Sequence, residues 1–178
     1  MASGVRLAVV GATGAVGQEM LKVLEERDFP AAELLCLADP SEAGSKLKFK
    51  DQTLTVGVAD AQAFKQSDLA LFAVGTDVSR ALAPLAMEND CVVIDNSYAF
   101  RLDDNVPLVV PEVNAAAAAS HQGIIANPNC STIIMVSHKP HSPGSGHQAG
   151  SSIYLSGGFR CRSGRLGGTR QTGPPIPG

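Results

Sequence analysis

Arg6-Leu7-Ala8-Val9-Val10, running directly into Gly11-Ala12-Thr13-Gly14-Ala15-Val16-Gly17, is the stretch from which the fold is read. Four consecutive apolar residues make a short buried strand. The glycines then impose a turn. Val16, Met20, Val23 and Leu24 follow at helical spacing, with Leu21 widening the face. Strand, glycine turn, helix is the context a dinucleotide site requires. Gly11 permits the tight turn, Gly14 lets backbone approach a pyrophosphate, and Gly17 lets helix and strand pack closely. The anion rests on the free N–H groups of the helix start. The spacing is GxxGxxG, one residue longer in its first gap than the commoner pattern, so the flanking strand and helix carry the reading.

Working outward, Glu33 to Ala38 reads as a second strand ending at Asp39. An acid there, some twenty residues past the glycines, bonds a ribose 2′-hydroxyl and favours NAD; a plain turn residue before Pro40 is the alternative. Lys46–Phe49 and Thr53–Val58 alternate like a hairpin around Asp51-Gln52. Leu69–Ala73 is a buried strand stopping at Gly75. Val78, Leu82, Leu85 and Ala86 make a helix face, which Pro84 interrupts or kinks. Cys91–Ile94 is another strand, capped by Asp95-Asn96-Ser97, and Leu108–Val110 a shorter one. Strands alternating with helices predict an α/β fold: a doubly wound parallel sheet of the Rossmann type with helices on both faces. Ligands gather at the carboxyl ends of such strands, where the glycine turn, Gly75, the Asp95–Arg101 loop and Cys130 all lie.

Composition bounds the function. The chain of 178 residues is 44% hydrophobic and 17% charged, which suits a domain with a real core. A net charge of -3 provides no broad basic surface for nucleic acid. No apolar run is long enough to span a membrane, and the N-terminus lacks a signal-peptide pattern. Cys36, Cys91, Cys130 and Cys161 are widely spaced, with no CxxC. That spacing argues against a metal site or a disulfide scaffold and fits a reducing cytoplasm.

Near the end of the patterned region stands Asn127-Pro128-Asn129-Cys130-Ser131-Thr132, between the apolar runs Gly123–Ala126 and Thr132–Val136. Strand, tight turn and helix start are expected, with Cys130 at or beside the first helical position. The thiolate is the reactive form of cysteine, and a helix N-terminus stabilises it. The competing expectation is a small buried hydrophobe.

Four separated motifs now occur in order: Gly11–Gly17, Asp95-Asn-Ser-Tyr-Ala-Phe-Arg101, Val106-Pro-Leu-Val-Val-Pro-Glu-Val-Asn114 and Asn127–Thr132. Together they resemble the aspartate-semialdehyde dehydrogenases, over about residues 4 to 136. Two relatives with the same thiol chemistry differ at the turn: N-acetyl-glutamyl-phosphate reductases usually show Asn-Pro-Gly-Cys, and the glyceraldehyde-phosphate enzymes Ser-x-x-Cys-Thr-Thr. A short-chain reductase is disfavoured because neither Tyr98 nor Tyr154 is followed by lysine four residues later.

The resemblance implies a mechanism on the route to lysine, threonine and methionine. Cys130 attacks the aldehyde of aspartate semialdehyde, hydride passes to the nicotinamide, and phosphate releases aspartyl phosphate from the thioester. It also implies that Arg101 holds phosphate, as its planar fork suits an oxyanion, and that Asn129 orients the substrate or thioester oxygen. Thr13, Gly14, Ala15 and Val16 match the cofactor loop, and Ala73 to Thr76, with Gly75, a second cofactor-contacting turn. The family uses NADP and forms a homodimer through a second α+β domain. It usually places Arg-Ser, for the NADP 2′-phosphate, where this chain has Ser41-Glu42. Glu42 repels a phosphate and Asp39 adds to it, while Lys46 and Lys48 are the nearby basic residues. NADP is therefore implied by resemblance, with NAD admitted by the residues and a weaker NADP preference expected than the family norm.

Residues 1–136 thus read as a dinucleotide-binding domain ending at the cysteine turn, truncated before the second domain. Residues 137–178 are rich in Gly, Ser, Pro and Arg and read as a disordered tail outside the family pattern. The family's glutamine, substrate-binding arginine and acid/base histidine have no counterparts there, and His138, His141 and His147 lie in no matching motif. A reading-frame shift is the expected cause. Ser156-Gly-Gly-Phe-Arg-Cys-Arg-Ser163 can be encoded so that the next frame reads Gln-Ala-Val-Ser-Gly-Ala-Gly-Arg, like the family's glutamine segment. The chain as given is expected to be a crippled or inactive enzyme, or a noncatalytic dinucleotide-binding fragment.

Overall fold

The computed structural model describes residues 4–137. The expectations for the tail, its histidines, Cys161 and the shifted frame lie outside the described residues. Six strands form one sheet in the order β5-β2-β1-β6-β7-β8, with every neighbouring pair parallel. They are β1 (Val5–Val10), β2 (Ala31–Ala38), β5 (Gly57–Val58), β6 (Leu69–Phe72), β7 (Val92–Asp95) and β8 (Ile124–Ala126). A separate antiparallel hairpin pairs β3 (Lys46–Phe49) with β4 (Gln52–Thr55). This is the doubly wound order of dinucleotide folds, reversing direction between β1 and β6.

β1 shows why the apolar run reads as it does. Leu7, Ala8, Val9 and Val10 are all buried. Ala8 and Val10 join Phe64, Phe72, Ala83, Ala86 and Val93 on one face. Val9 joins Ala12, Leu21, Cys36 and Val56 on the other. A central parallel strand covered on both faces has no polar side to alternate with. The helices are α1 (Ala15–Glu26), α2 (Ala61–Lys65), α3 (Thr76–Met87), α4 (Pro111–Asn114) and α5 (Cys130–Ser137).

The structure corrects four sequence expectations. The inward stripe of α1 runs Gly17–Leu21 with half-buried Met20 and Leu24, while Val16 and Val23 face solvent. Gly17 sets this rotation, because a Cβ there would lie 2.1 Å from the Gly11 carbonyl oxygen. In α3 the buried stripe is Ser79–Ala83–Ala86, and Val78 is exposed. Pro84 does not end that helix. It sits on the exposed side, where water can bond the carbonyl its missing N–H leaves unpaired.

Thr53–Val58 is not one strand. Val56 still pairs with Ser45, its N–H donating at 2.9 Å, and then Gly57–Val58 switches partner to the end of β2. Leu108–Val110 forms no strand, only a bridge between Leu108 and Ala126. The rungs on either side of that bridge would need the N–H groups of Pro107 and Pro128, which proline lacks. The Asn114 side chain bonds the opposite edge of the segment. It donates to the Leu108 carbonyl at 2.9 Å and accepts from the Val110 N–H at 2.7 Å.

Candidate active site

All candidate groups follow the carboxyl ends of parallel strands, so they line one edge of the sheet. Gly11 leaves β1 with φ +82°, a conformation that glycine adopts without strain. A Cβ at Gly11 would lie 2.6 Å from the Ala73 carbonyl, so the turns after β1 and β6 touch at the point where the strand order reverses. The helices that follow these turns begin alike. Gly14 caps α1 and Gly75 caps α3, both extended, and neither end has a side-chain cap. A Cβ at Gly14 would meet nothing nearer than 3.4 Å, and one at Gly75 nothing within 4 Å. The first-turn N–H groups of Ala15, Val16 and Gly17 therefore meet no capping side chain of the protein, the arrangement that receives an anion. Val16 and Val78, 48% and 47% exposed, stand in these first turns. They stand exposed beside the two glycine turns, outside the core, which is why helical periodicity misassigned them.

Asp39 follows β2 and caps a short 3-10 turn, Pro40–Glu42, accepting from the Ser41 N–H at 3.0 Å. That bond, with help from the Ser41 side chain, holds the Asp39 carboxyl below its ordinary range. Glu42 reaches back to the glycine turn, where its Oε2 accepts from Thr13 Oγ1 at 2.9 Å. The Thr13 carbonyl in turn accepts from Gln18 Nε2 at 2.8 Å.

At the other end of the edge, Cys130 is the first residue of α5, and its side chain is exposed. The helix start is built by Asn129, whose Oδ1 accepts from the Thr132 N–H at 3.0 Å and from Thr132 Oγ1 at 2.9 Å. Arg101 spans two loops. Its Nε donates to the Asn127 carbonyl and its Nη2 to the Asn96 carbonyl, both at 2.8 Å. Asn127 Nδ2 donates to Asn96 Oδ1 at 2.7 Å. The other described cysteines differ from Cys130. Cys36 and Cys91 are buried, and burial pushes both thiols up to about 11.

The structure brings Gly11, Thr13, Gly14, Ala15, Val16, Gly17, Asp39, Ser41 and Gly75 around the reversal point. It gathers Arg101, Asn129 and Cys130 beyond β7 and β8. Three strand spacings lie between the turn after β1 and the cysteine turn after β8, roughly 14 Å along the edge, a distance that an extended dinucleotide spans. Sequence reasoning missed the network beneath them. Asp95, fully buried, accepts from Ser79 Oγ at 2.7 Å, from Ser97 Oγ at 2.7 Å and from the Ser97 N–H at 3.2 Å. A serine on the otherwise apolar buried stripe of α3 was the available signal. No cluster of metal-ligating side chains occurs among the described residues, and none of the described helices is long and apolar enough to cross a membrane.

Comparison with known proteins agrees with this geometry. Residues 6–121 match the family described as semialdehyde dehydrogenase, NAD binding domain. The chain belongs to that family. It is 56% identical over 136 residues to an aspartate-semialdehyde dehydrogenase of Bacillus subtilis, covering 76% of this chain and 39% of that protein. It is 50% identical over 135 residues to the Synechocystis enzyme of the same name, covering 76% and 40%. Aspartate semialdehyde dehydrogenase II of Vibrio cholerae, solved in complex with ASA, superposes with TM-score 0.73 at 46% identity, covering 75% of this chain and 44% of that one. The chain thus spans about two fifths of the length of the curated relatives it matches. The family match ends before the cysteine turn.

Proposed function

We propose that residues 4–137 are the nucleotide-binding and nucleophile-bearing part of an aspartate-semialdehyde dehydrogenase. The observation that carries this reading is the exposed Cys130 thiol on the first turn of α5, at the same sheet edge as the glycine turn. The turn fits a dinucleotide: Gly14 and Gly75 leave room for close backbone approach, and the start of α1 has no side-chain cap. When bound, the nicotinamide ring supplies hydride acceptance and return.

The protein's own part is covalent. In the oxidative direction Cys130 Sγ forms a bond to the aldehyde carbon of aspartate semialdehyde. Removal of hydride leaves a thioester, and phosphate then breaks the C–S bond, giving aspartyl phosphate and the free thiolate. Arg101 and Asn129 fix the turn that presents the thiol. In this reading their remaining donors, Arg101 Nη1 and the Asn129 amide, serve the phosphate and acyl oxygens. The reverse direction serves amino-acid biosynthesis in the cytoplasm. Residues 1–136 act as the domain. In the reading drawn from the family, the acid/base histidine and the dimer-forming domain belong to sequence that this chain does not match, so turnover by the 178-residue chain is slow.

Thiol trapping in the presence of substrate and nucleotide tests the reading. Acylation of Cys130 faster than free cysteine, with stoichiometric nucleotide reduction, supports it. Nucleotide binding beside an inert thiol overturns the catalytic half and leaves a noncatalytic dinucleotide-binding module.

A further inference from the structure

We propose that Glu42, held by Thr13, together with Asp39, makes the adenosine side of this crevice selective for a dinucleotide with a free ribose 2′-hydroxyl, NAD over NADP. The inference rests on the nucleotide reading above and deepens it. The two carboxylates belong to one rigid unit. Pro40 fixes the backbone of the turn, Asp39 caps it, and the Glu42 N–H donates to the Asp39 carbonyl at 2.9 Å. The Thr13–Glu42 bond then ties that unit to the loop on which a pyrophosphate would rest, across 29 residues of chain. This bond brings a second negative charge to the end of β2, where a single acid already suffices to accept from a ribose hydroxyl.

Among the described residues no cation is paired with either carboxylate, Asp39 or Glu42. The nearest basic candidate from the sequence, Lys46, is turned to the Thr55 hydroxyl across its own hairpin. Glu42 Oε1 accepts no hydrogen bond among the described residues, so it has capacity for a ribose O–H. A 2′-phosphate brings only acceptors and up to two further negative charges. Like charges placed together at an interface disfavour the wrong ligand.

Calorimetric titration of the 178-residue chain with NAD and with NADP tests this. NAD is expected to bind at least ~10-fold more tightly, by the cost of like-charge juxtaposition. Glu42→Gln, which keeps the Thr13 contact and removes the charge, is expected to shrink that ratio several-fold by improving NADP. Added salt shrinks it in the parent chain through screening. Equal or tighter binding of NADP by the parent chain overturns the inference and leaves the nucleotide site standing. A ratio unchanged in Glu42→Gln overturns the role of Glu42. Binding of neither nucleotide to a chain with a cooperative unfolding transition overturns the nucleotide reading itself, and the inference with it.

Discussion

The two ends of the sheet edge are built by different physics. At β2, β1 and β6 the site rests on close packing. Both faces are covered, Gly17 carries α1 against the turn, and Gly11 meets Ala73 almost backbone to backbone. At β7 and β8 one face is packed under α3, while Ile94 and Ile125 on the other are only half-buried. The cysteine turn is held by hydrogen bonds that Arg101 and Asn127 donate and that Asn129 accepts. Beyond it, Ile133 and Met135 of α5 stand exposed, Met135 at 72%. The nucleotide cradle is therefore rigid within residues 4–137. The proposed nucleophile is positioned by polar contacts beside exposed apolar side chains.

The largest expected effect isolates the thiol. Cys130→Ser should lower acyl-adduct formation by roughly a thousandfold or more, the scale on which loss of a covalent nucleophile is felt. Mass mapping after alkylation near neutral pH should find Cys130 modified and Cys36 and Cys91 untouched. Equal labelling of the three would erase the contrast between the ends. The two buried thiols also set a pH dependence. Their folded values, near 11, exceed the ordinary 9.0. The stability they contribute is thus fully present below pH 9 and is lost as pH rises toward 11. Denaturation midpoints should fall across that window.

Next in size is the packed end. Gly17→Ala places a Cβ 2.1 Å from the Gly11 carbonyl and 2.7 Å from Ala12 Cα, both backbone, so neither can step aside. It should cost about 3 kcal/mol, the upper end of overpacking. Gly75→Ala, with open space around it, should stay within about 1 kcal/mol as a helix-cap change. Urea midpoints separate the two, and similar losses would mean that close packing does not define this end.

The contrast also explains what could be read beforehand. The glycine turn was legible because close approach admits no other residue, and β1 because a strand buried on both faces must be continuously apolar. The outward turn of Val16 and Val78 was not. Periodicity counts apolar residues without knowing that two first turns stand exposed beside the glycine turns. The break at Val56 and the loss of a strand at Leu108–Val110 were hidden for another reason. A change of sheet partner, and a register that calls on the missing N–H groups of Pro107 and Pro128, are decided by residues distant in sequence. Cys130 was legible from its turn, but its support was only half so. Arg101 was singled out for an anion, whereas its bonds in the folded chain go to the carbonyls of Asn127 and Asn96.

Arg101→Met probes the polar end directly. It removes donors from the loop carbonyls of Asn127 and Asn96 and, at 3.4 Å, of Pro128, while keeping much of the side-chain bulk. Water can replace part of what is lost, so the cost should be about 2 kcal/mol. Hydrogen exchange should quicken at β8 and the start of α5 and stay unchanged in β1. Uniform quickening would show that the two ends unfold as one.

The smallest effect is the most specific. Asn129→Ala deletes the acceptor for the Thr132 N–H and hydroxyl and leaves the core alone. Loss of such a cap costs about 1 kcal/mol, too little to unfold a domain whose packing lies elsewhere. Yet the first turn of α5 carries the thiol, so fraying there should be felt as chemistry. The rate of Cys130 alkylation should change several-fold while nucleotide affinity is unaltered. Asn129→Asp, which keeps the cap, should restore the helix start but adds a negative charge beside the sulfur. If helix geometry alone governs reactivity, the aspartate variant behaves like the parent. If the local field matters as well, it reacts more slowly than the parent despite an intact helix, because the added charge disfavours the thiolate.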